Sequence, residues 1–140
     1  MTIYRQTFEQ MLARQNTKSR KHPAEEEHRI QCACVQWFRY QYPDLRHNLF
    51  SVPNGGKRDK VTAAKLKAEG ALAGVVDLIL LLPNRSYGAL LIEMKTRKGR
   101  QADTQREWQQ LIERDGYKYV VCRSLEDFIR EIKSYLSDKL

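Results

Sequence analysis

Apolar positions along the 140-residue chain change their spacing several times, and each change predicts a different element. Ile30, Cys34, Trp37 and Phe38 recur at helical spacing. Pro23 suits a first helical turn, and Glu25, Glu26 and Glu27 suit the positive helix end, so a helix is predicted from Pro23 to about Tyr42, stopped by Pro43. Leu49–Val52 is a candidate short strand. Pro53-Asn54-Gly55-Gly56 is a turn signal, and Val61–Glu69 reads as a short helix closed by Gly70. Val75–Leu82 is almost unbroken apolar sequence, the pattern of a strand buried on both faces. A turn over Pro83–Gly88 and a second apolar run, Ala89–Lys95, complete a hairpin. Thr104–Arg114 is a predicted helix, with Thr104 and Glu107 at capping-box spacing. Lys118–Cys122 is a further strand. Ser124–Leu136 is a last helix, with Ser124 and Asp127 spaced as a capping pair.

That order, helix then hairpin then helix-strand-helix, predicts an α/β fold with a mixed β-sheet flanked by helices. No internal repeat is visible. Residues 1–22 differ in character. Ile3, Tyr4, Phe8, Met11 and Leu12 have the spacing of a short amphipathic helix, and Gln15–Pro23 has the composition of a linker or arm. Arg5, Arg14, Lys18, Arg20 and Lys21 make that arm basic, so it either touches backbone phosphates or is a disordered tail. The expected organisation is an arm at 1–22 and one domain at 23–140.

Composition narrows the class. The chain is 41% hydrophobic and 30% charged, ordinary for a soluble globular protein. No apolar run approaches the roughly 20 residues of a membrane helix. Met1–Gln10 lacks the apolar stretch of a secretory signal, so the expected location is the cytoplasm, or the host cytoplasm for a virus- or phage-encoded chain. Cys32, Cys34 and Cys122 are odd in number and lack CxxC spacing, which argues against a disulfide frame or a zinc knuckle. They are expected to be packing residues. A net charge of +8 favours anionic partners, nucleic acid first among them.

The candidate chemistry lies where charges interrupt apolar strands. Asp77 breaks Val75-Val76-Asp77-Leu78-Ile79-Leu80, and Glu93 and Lys95 break Leu90-Leu91-Ile92-Glu93-Met94-Lys95. An unpaired buried charge costs several kcal/mol, so such groups persist only with partners or a bound ion. Side chains alternate along a strand, which puts Glu93 and Lys95 on one face. A hairpin brings Asp77 opposite them only in the right register, and the loop length leaves that register open. Two carboxylates and a lysine suit phosphodiester hydrolysis. Asp77 and Glu93 would hold Mg²⁺ or Mn²⁺, with the Met94 backbone carbonyl as a further donor. Lys95 would orient the attacking water, stabilise the oxyanion or assist deprotonation. A buried salt bridge of Lys95 with either acid is the plain alternative. Asn54, Gly55, Gly56, Lys57 and Arg58 form either a phosphate-binding loop or a simple turn. Arg97, Lys98 and Arg100 follow the second strand closely enough to grip a substrate strand.

Gly74-Val75-Val76-Asp77 followed by Ile92-Glu93-Met94-Lys95 resembles the PD-(D/E)xK nuclease signature, with Val76 at the usual proline position. Glu27 to Gln31, Pro53 to Arg58, Glu69-Gly70 and Gln105-Arg106-Glu107-Trp108 make the whole more specifically similar to a VRR-NUC (virus-type replication-repair nuclease) domain. The resemblance spans roughly Glu25 to Cys122. It implies a restriction-endonuclease-like core and a metal-dependent, structure-selective DNA endonuclease that cuts branched DNA, such as four-way junctions, in replication or repair. It implies that Glu27, or Glu26 beside it, positions the metal directly or through water. It also implies that Gln105 points into the site. A homodimer rests on the family resemblance alone. The competing class is a catalytically silent nucleic-acid-binding module.

Overall fold

A computed structural model describes residue 10 and residues 23–53 and 59–140. The basic arm and the Asn54–Arg58 loop therefore lie outside the described residues, apart from Gln10. Helix α1 spans Pro23–Gln41, with Glu25 and Glu26 in its first turn and Ile30, Cys34, Trp37 and Phe38 buried. A 3₁₀ turn at Pro43–Leu45 leads into strand β1, Leu49–Ser51. Helix α2 covers Lys60–Ala68, capped by Asp59, whose side chain accepts the Thr62 N–H. None of its residues is buried.

The apolar run at 75–82 forms a much shorter strand than its composition predicts. Only Leu78–Leu80 make β2. Both of its ladders are three residues long: Leu49, Phe50 and Ser51 pair with Leu80, Ile79 and Leu78, and Leu90, Leu91 and Ile92 pair with Leu80, Ile79 and Leu78. Leu81 emerges 60% exposed. Strand β3, Leu90–Met94, is buried throughout. Helix α3 spans Asp103–Arg114, strand β4 spans Lys118–Cys122, and helix α4 spans Leu125–Ser137.

The start of α3 corrects one expectation. Its N-cap is Ala102, not Thr104, and the Gln105 side-chain oxygen accepts the Ala102 N–H at 2.8 Å. Alanine has no side-chain acceptor, so only half of a capping box forms. At α4 the expected pair holds. Ser124 Oγ accepts the Asp127 N–H at 3.0 Å, and Asp127 accepts the Arg123 N–H at 2.9 Å.

The sheet runs β1-β2-β3-β4. The first two pairings are antiparallel and the third is parallel, with α3 as the crossover. The result is a mixed four-stranded α/β sheet, as the element order implied. Side-chain alternation sorts the core into two layers. Leu78, Leu80, Leu90, Ile92 and Met94 pack against α1 and α4. Leu91, Tyr119, Ile79 and Val121 pack with Val76 and with Trp108 and Ile112 of α3. Glu93 and Tyr119 lie in the odd-numbered rows of β3 and β4, the rows that face α3.

Candidate active site

The β2–β3 register fixes what the hairpin loop could not. Leu78 pairs with Ile92, so one further step sets Asp77 opposite Glu93. The Asp77 N–H donates to the Ile92 carbonyl at 3.1 Å, and Asp77 Oδ2 accepts the Met94 N–H at 2.6 Å. Opposed residues of an antiparallel pair share a face. Asp77 sits just before β2 in chain order, where it is half-buried. Its carboxyl is held above its usual range, first by burial and then by the neighbouring Glu93. The Met94 N–H and the Lys95 charge oppose that rise.

Gly74 sets the approach to this corner. Its φ of +84° favours glycine, and an added Cβ would stand 2.9 Å from the Thr104 backbone carbon. A residue with a side chain would therefore push the segment before Asp77 away from α3.

Glu93 is fully buried. Its Oε1 accepts the Tyr119 hydroxyl at 2.5 Å and lies 3.4 Å from Gln101 Nε2. Burial and contact with Glu93 raise the Tyr119 pKa, which keeps the phenol a donor. Glu93 Oε2 is buried and has no hydrogen-bond partner among the described residues. Lys95 follows at the strand end, half-buried, and its N–H bonds the Cys122 carbonyl at 3.0 Å. No ion pair of Lys95 with Asp77 or Glu93 is formed among the described residues. Its charge nonetheless acts on both Asp77 and Glu27.

Glu27 belongs to the same corner. It lines a groove with Asp77, Met94 and Gln31, and this distinguishes it from Glu26. Burial raises its carboxyl pKa; Lys95 lowers it, and Asp77, Glu93 and Glu26 raise it further. The groove runs between α1 and β1 and encloses about 650 Å³. That lies within the roughly 300–1,000 Å³ of ligand clefts.

The residues present fit a divalent cation, on the strength of one orphaned buried oxygen. An anionic oxygen removed from water and left unpartnered is costly, and a cation offsets that cost. Among the described residues no three His, Cys, Asp or Glu side chains converge as a ready-made metal cage. Two carboxylates with backbone and water oxygens suit Mg²⁺ better than an all-protein cage does.

Arg97, Lys98 and Arg100 are exposed on the turn after β3. Arg123 holds that turn from below, donating through Nη1 to the Thr96 carbonyl at 2.8 Å and the Gly99 carbonyl at 2.6 Å. The Asn54–Arg58 contacts fall outside the described residues. Two glutamines lie at the N-terminal end of α3. The side-chain oxygen of Gln105 is engaged at the start of α3, and the glutamine that reaches Glu93 is Gln101. The sequence reading passed over Tyr119, Gln101 and Arg123. The available signal was Tyr119 within an apolar strand, because a buried phenol requires a partner.

The four-stranded mixed sheet carries a carboxylate pair and a lysine at one end. The family model for the VRR-NUC domain matches residues 13–126, and the chain belongs to that family. A solved structure described as a VRR_NUC domain protein superposes with a TM-score of 0.71 at 26% sequence identity. The match covers 81% of this chain and 89% of that one. No curated protein matches the chain. Among the described residues no helix is long and apolar enough to cross a membrane.

Proposed function

We propose that this domain hydrolyses phosphodiester bonds of DNA as an endonuclease dependent on Mg²⁺ or Mn²⁺. The observation that carries the reading is Glu93, fully buried opposite Asp77 with Oε2 unpartnered among the described residues. Asp77 and Glu93 would hold the ion, with the Met94 carbonyl and Glu27, directly or through water, as further donors. When bound, the ion would polarise the phosphoryl group and acidify a water. Lys95 stabilises the negative charge that builds on the phosphoryl oxygens. Glu27, with its pKa raised, orients the attacking water and is suited to take its proton. Arg97, Lys98 and Arg100 bind the phosphates of the substrate strand, and Asn54, Gly55, Gly56, Lys57 and Arg58 extend that contact. We extend the proposal to branched DNA, such as four-way junctions, as the substrate, cut by a homodimer in replication or repair.

A cleavage panel of single-stranded, duplex, flap and four-way-junction DNA tests the reading. Cleavage is expected with Mn²⁺ or Mg²⁺ and lost with chelator. Asp77→Asn retains an acceptor for the Met94 N–H, so it removes charge with little change of shape. Asp77→Asn and Lys95→Ala are each expected to lower the rate by about 10²-fold or more. Near wild-type cleavage by either folded variant would sink the catalytic assignment. Metal-independent binding without cleavage would identify a silent binding module.

A further inference from the structure

The contact between Tyr119 and Glu93 is the shortest hydrogen bond that reaches the acidic pair, at 2.5 Å. Tyr119 reaches Glu93 along the sheet. In the parallel β3–β4 register Tyr119 pairs with Leu91, and Glu93 pairs with Val121 two steps further on. The phenol therefore leans along its own face to meet the carboxylate. Its ring is set by the edge contact with Trp108 of α3, at 6.1 Å between centroids. Gln101 Nε2 completes the cluster, at 2.8 Å from Gln109 Oε1 and 3.4 Å from both Tyr119 Oη and Glu93 Oε1. An amide has two N–H groups, and the short bond to Gln109 takes one of them. The strong donor to Glu93 is thus the tyrosine.

We infer that Tyr119 is a positioning residue that occupies one oxygen of Glu93 and leaves the other as a single-point ligand, biasing the site towards Mg²⁺ and Mn²⁺ and against Ca²⁺. This rests on the metal-dependent reading proposed above. Carboxylates ligate Ca²⁺ with one oxygen or with both, in flexible shells of six to eight oxygens. Mg²⁺ demands a near-ideal octahedron. With one lone pair of Oε1 held by the phenol, two-oxygen ligation by Glu93 has to compete with that bond for orientation and electron density. A charge-assisted hydrogen bond of this length is among the stronger kinds. Groups that hydrogen-bond a ligating carboxylate also fix its orientation, and their loss typically costs about 10–100-fold in metal affinity.

The test is metal binding by calorimetry, and metal-dependent thermal shift, with Mn²⁺, Mg²⁺ and Ca²⁺ in turn on wild type and Tyr119→Phe. Phenylalanine keeps the ring against Trp108, and melting in chelator verifies the fold. The expected result is an approximately 10–100-fold loss of Mn²⁺ and Mg²⁺ affinity with a smaller loss for Ca²⁺, so that the Mg²⁺/Ca²⁺ preference narrows. Equal losses for all three ions would reveal a merely structural role and overturn the inference, as would unchanged affinities. If wild type itself gave no heat and no thermal shift with any of the three, the metal-dependent reading would fall, and the role of Tyr119 with it.

Discussion

Arg123 donates through Nη1 to the Gly99 carbonyl at 2.6 Å, so a side chain just before α4 holds the turn that follows Lys95. The same nitrogen reaches the Thr96 carbonyl. Three cationic side chains ride on that turn, and their aim depends on how it is held. Arg123→Met is expected to destabilise the domain by about 1.5–3 kcal/mol, the range for hydrogen bonds to charged groups. It should also weaken DNA binding more than it lowers the single-turnover rate of bound substrate. Denaturant melts and a binding titration check both; unaltered affinity would show that the turn keeps its shape unaided.

Salt should report the same surface. If Arg97, Lys98 and Arg100 contact phosphates, log affinity falls linearly with log salt concentration, by up to about 0.9 per phosphate contact on duplex DNA. Neutralising all three should flatten that slope and weaken binding evenly across sequences, because phosphate contacts carry no base code. A slope identical to wild type would remove these residues from the interface.

Glu27 gives a pH signature in chelator. Its pKa in the fold is raised above the ordinary 4.5, chiefly by burial. A raised carboxyl pKa means that the native state holds the proton more tightly than the unfolded chain does. The associated stability is present below the unfolded pKa and is lost as pH rises through the folded value. Asp77 acts in the same direction from 3.8. Glu27→Gln should therefore gain on wild type in melting temperature as pH climbs from about 4 towards 7. A gap that stayed constant with pH would show that Glu27 is not strained in the fold.

The cysteines divide by exposure. Cys32 is exposed, 3.5 Å from His28 Nε2, whereas Cys34 and Cys122 are buried. Burial pushes the Cys122 thiol up to about 12 and the Cys34 thiol well above its ordinary value. Only the thiolate is the nucleophile. Iodoacetamide on the native protein should thus modify Cys32 alone, read by peptide mass mapping, with Cys34 and Cys122 following only on unfolding. Modification of Cys122 under native conditions would contradict its place in the core.

Helices α1 and α4 were legible because burial there follows the helical period. Ile30, Cys34, Trp37 and Phe38 sit where their spacing puts them. The extent of β2 was not legible, since the length of a ladder depends on both partners, and spacing within one apolar run does not report them. The acidic pair was visible as charges interrupting apolar runs, but its register was not, because only the sheet aligns Asp77 with Glu93. The backbone contact of Gln105 was not legible either: the helix starts at Asp103, which makes Gln105 the residue that reaches back to the helix start. Tyr119 and Arg123 act through long-range contacts, 26 residues from Glu93 and 24 from Gly99. Spacing within a single element says nothing about such partners.

The parallel pairing of β3 with β4 carries a consequence for synthesis on the ribosome. Asp77 and Glu93 emerge early and can meet through a local hairpin, but Tyr119 and Arg123 arrive only with the strand beyond α3. Parallel partners require such a crossover, and contacts distant in sequence form late. A growing chain halted after β3 would carry the acids without the phenol that fixes Glu93 or the guanidinium that shapes the basic turn. The contacts of Tyr119 and Arg123 around the candidate site are thus completed only after β4 and the residue that follows it have been made.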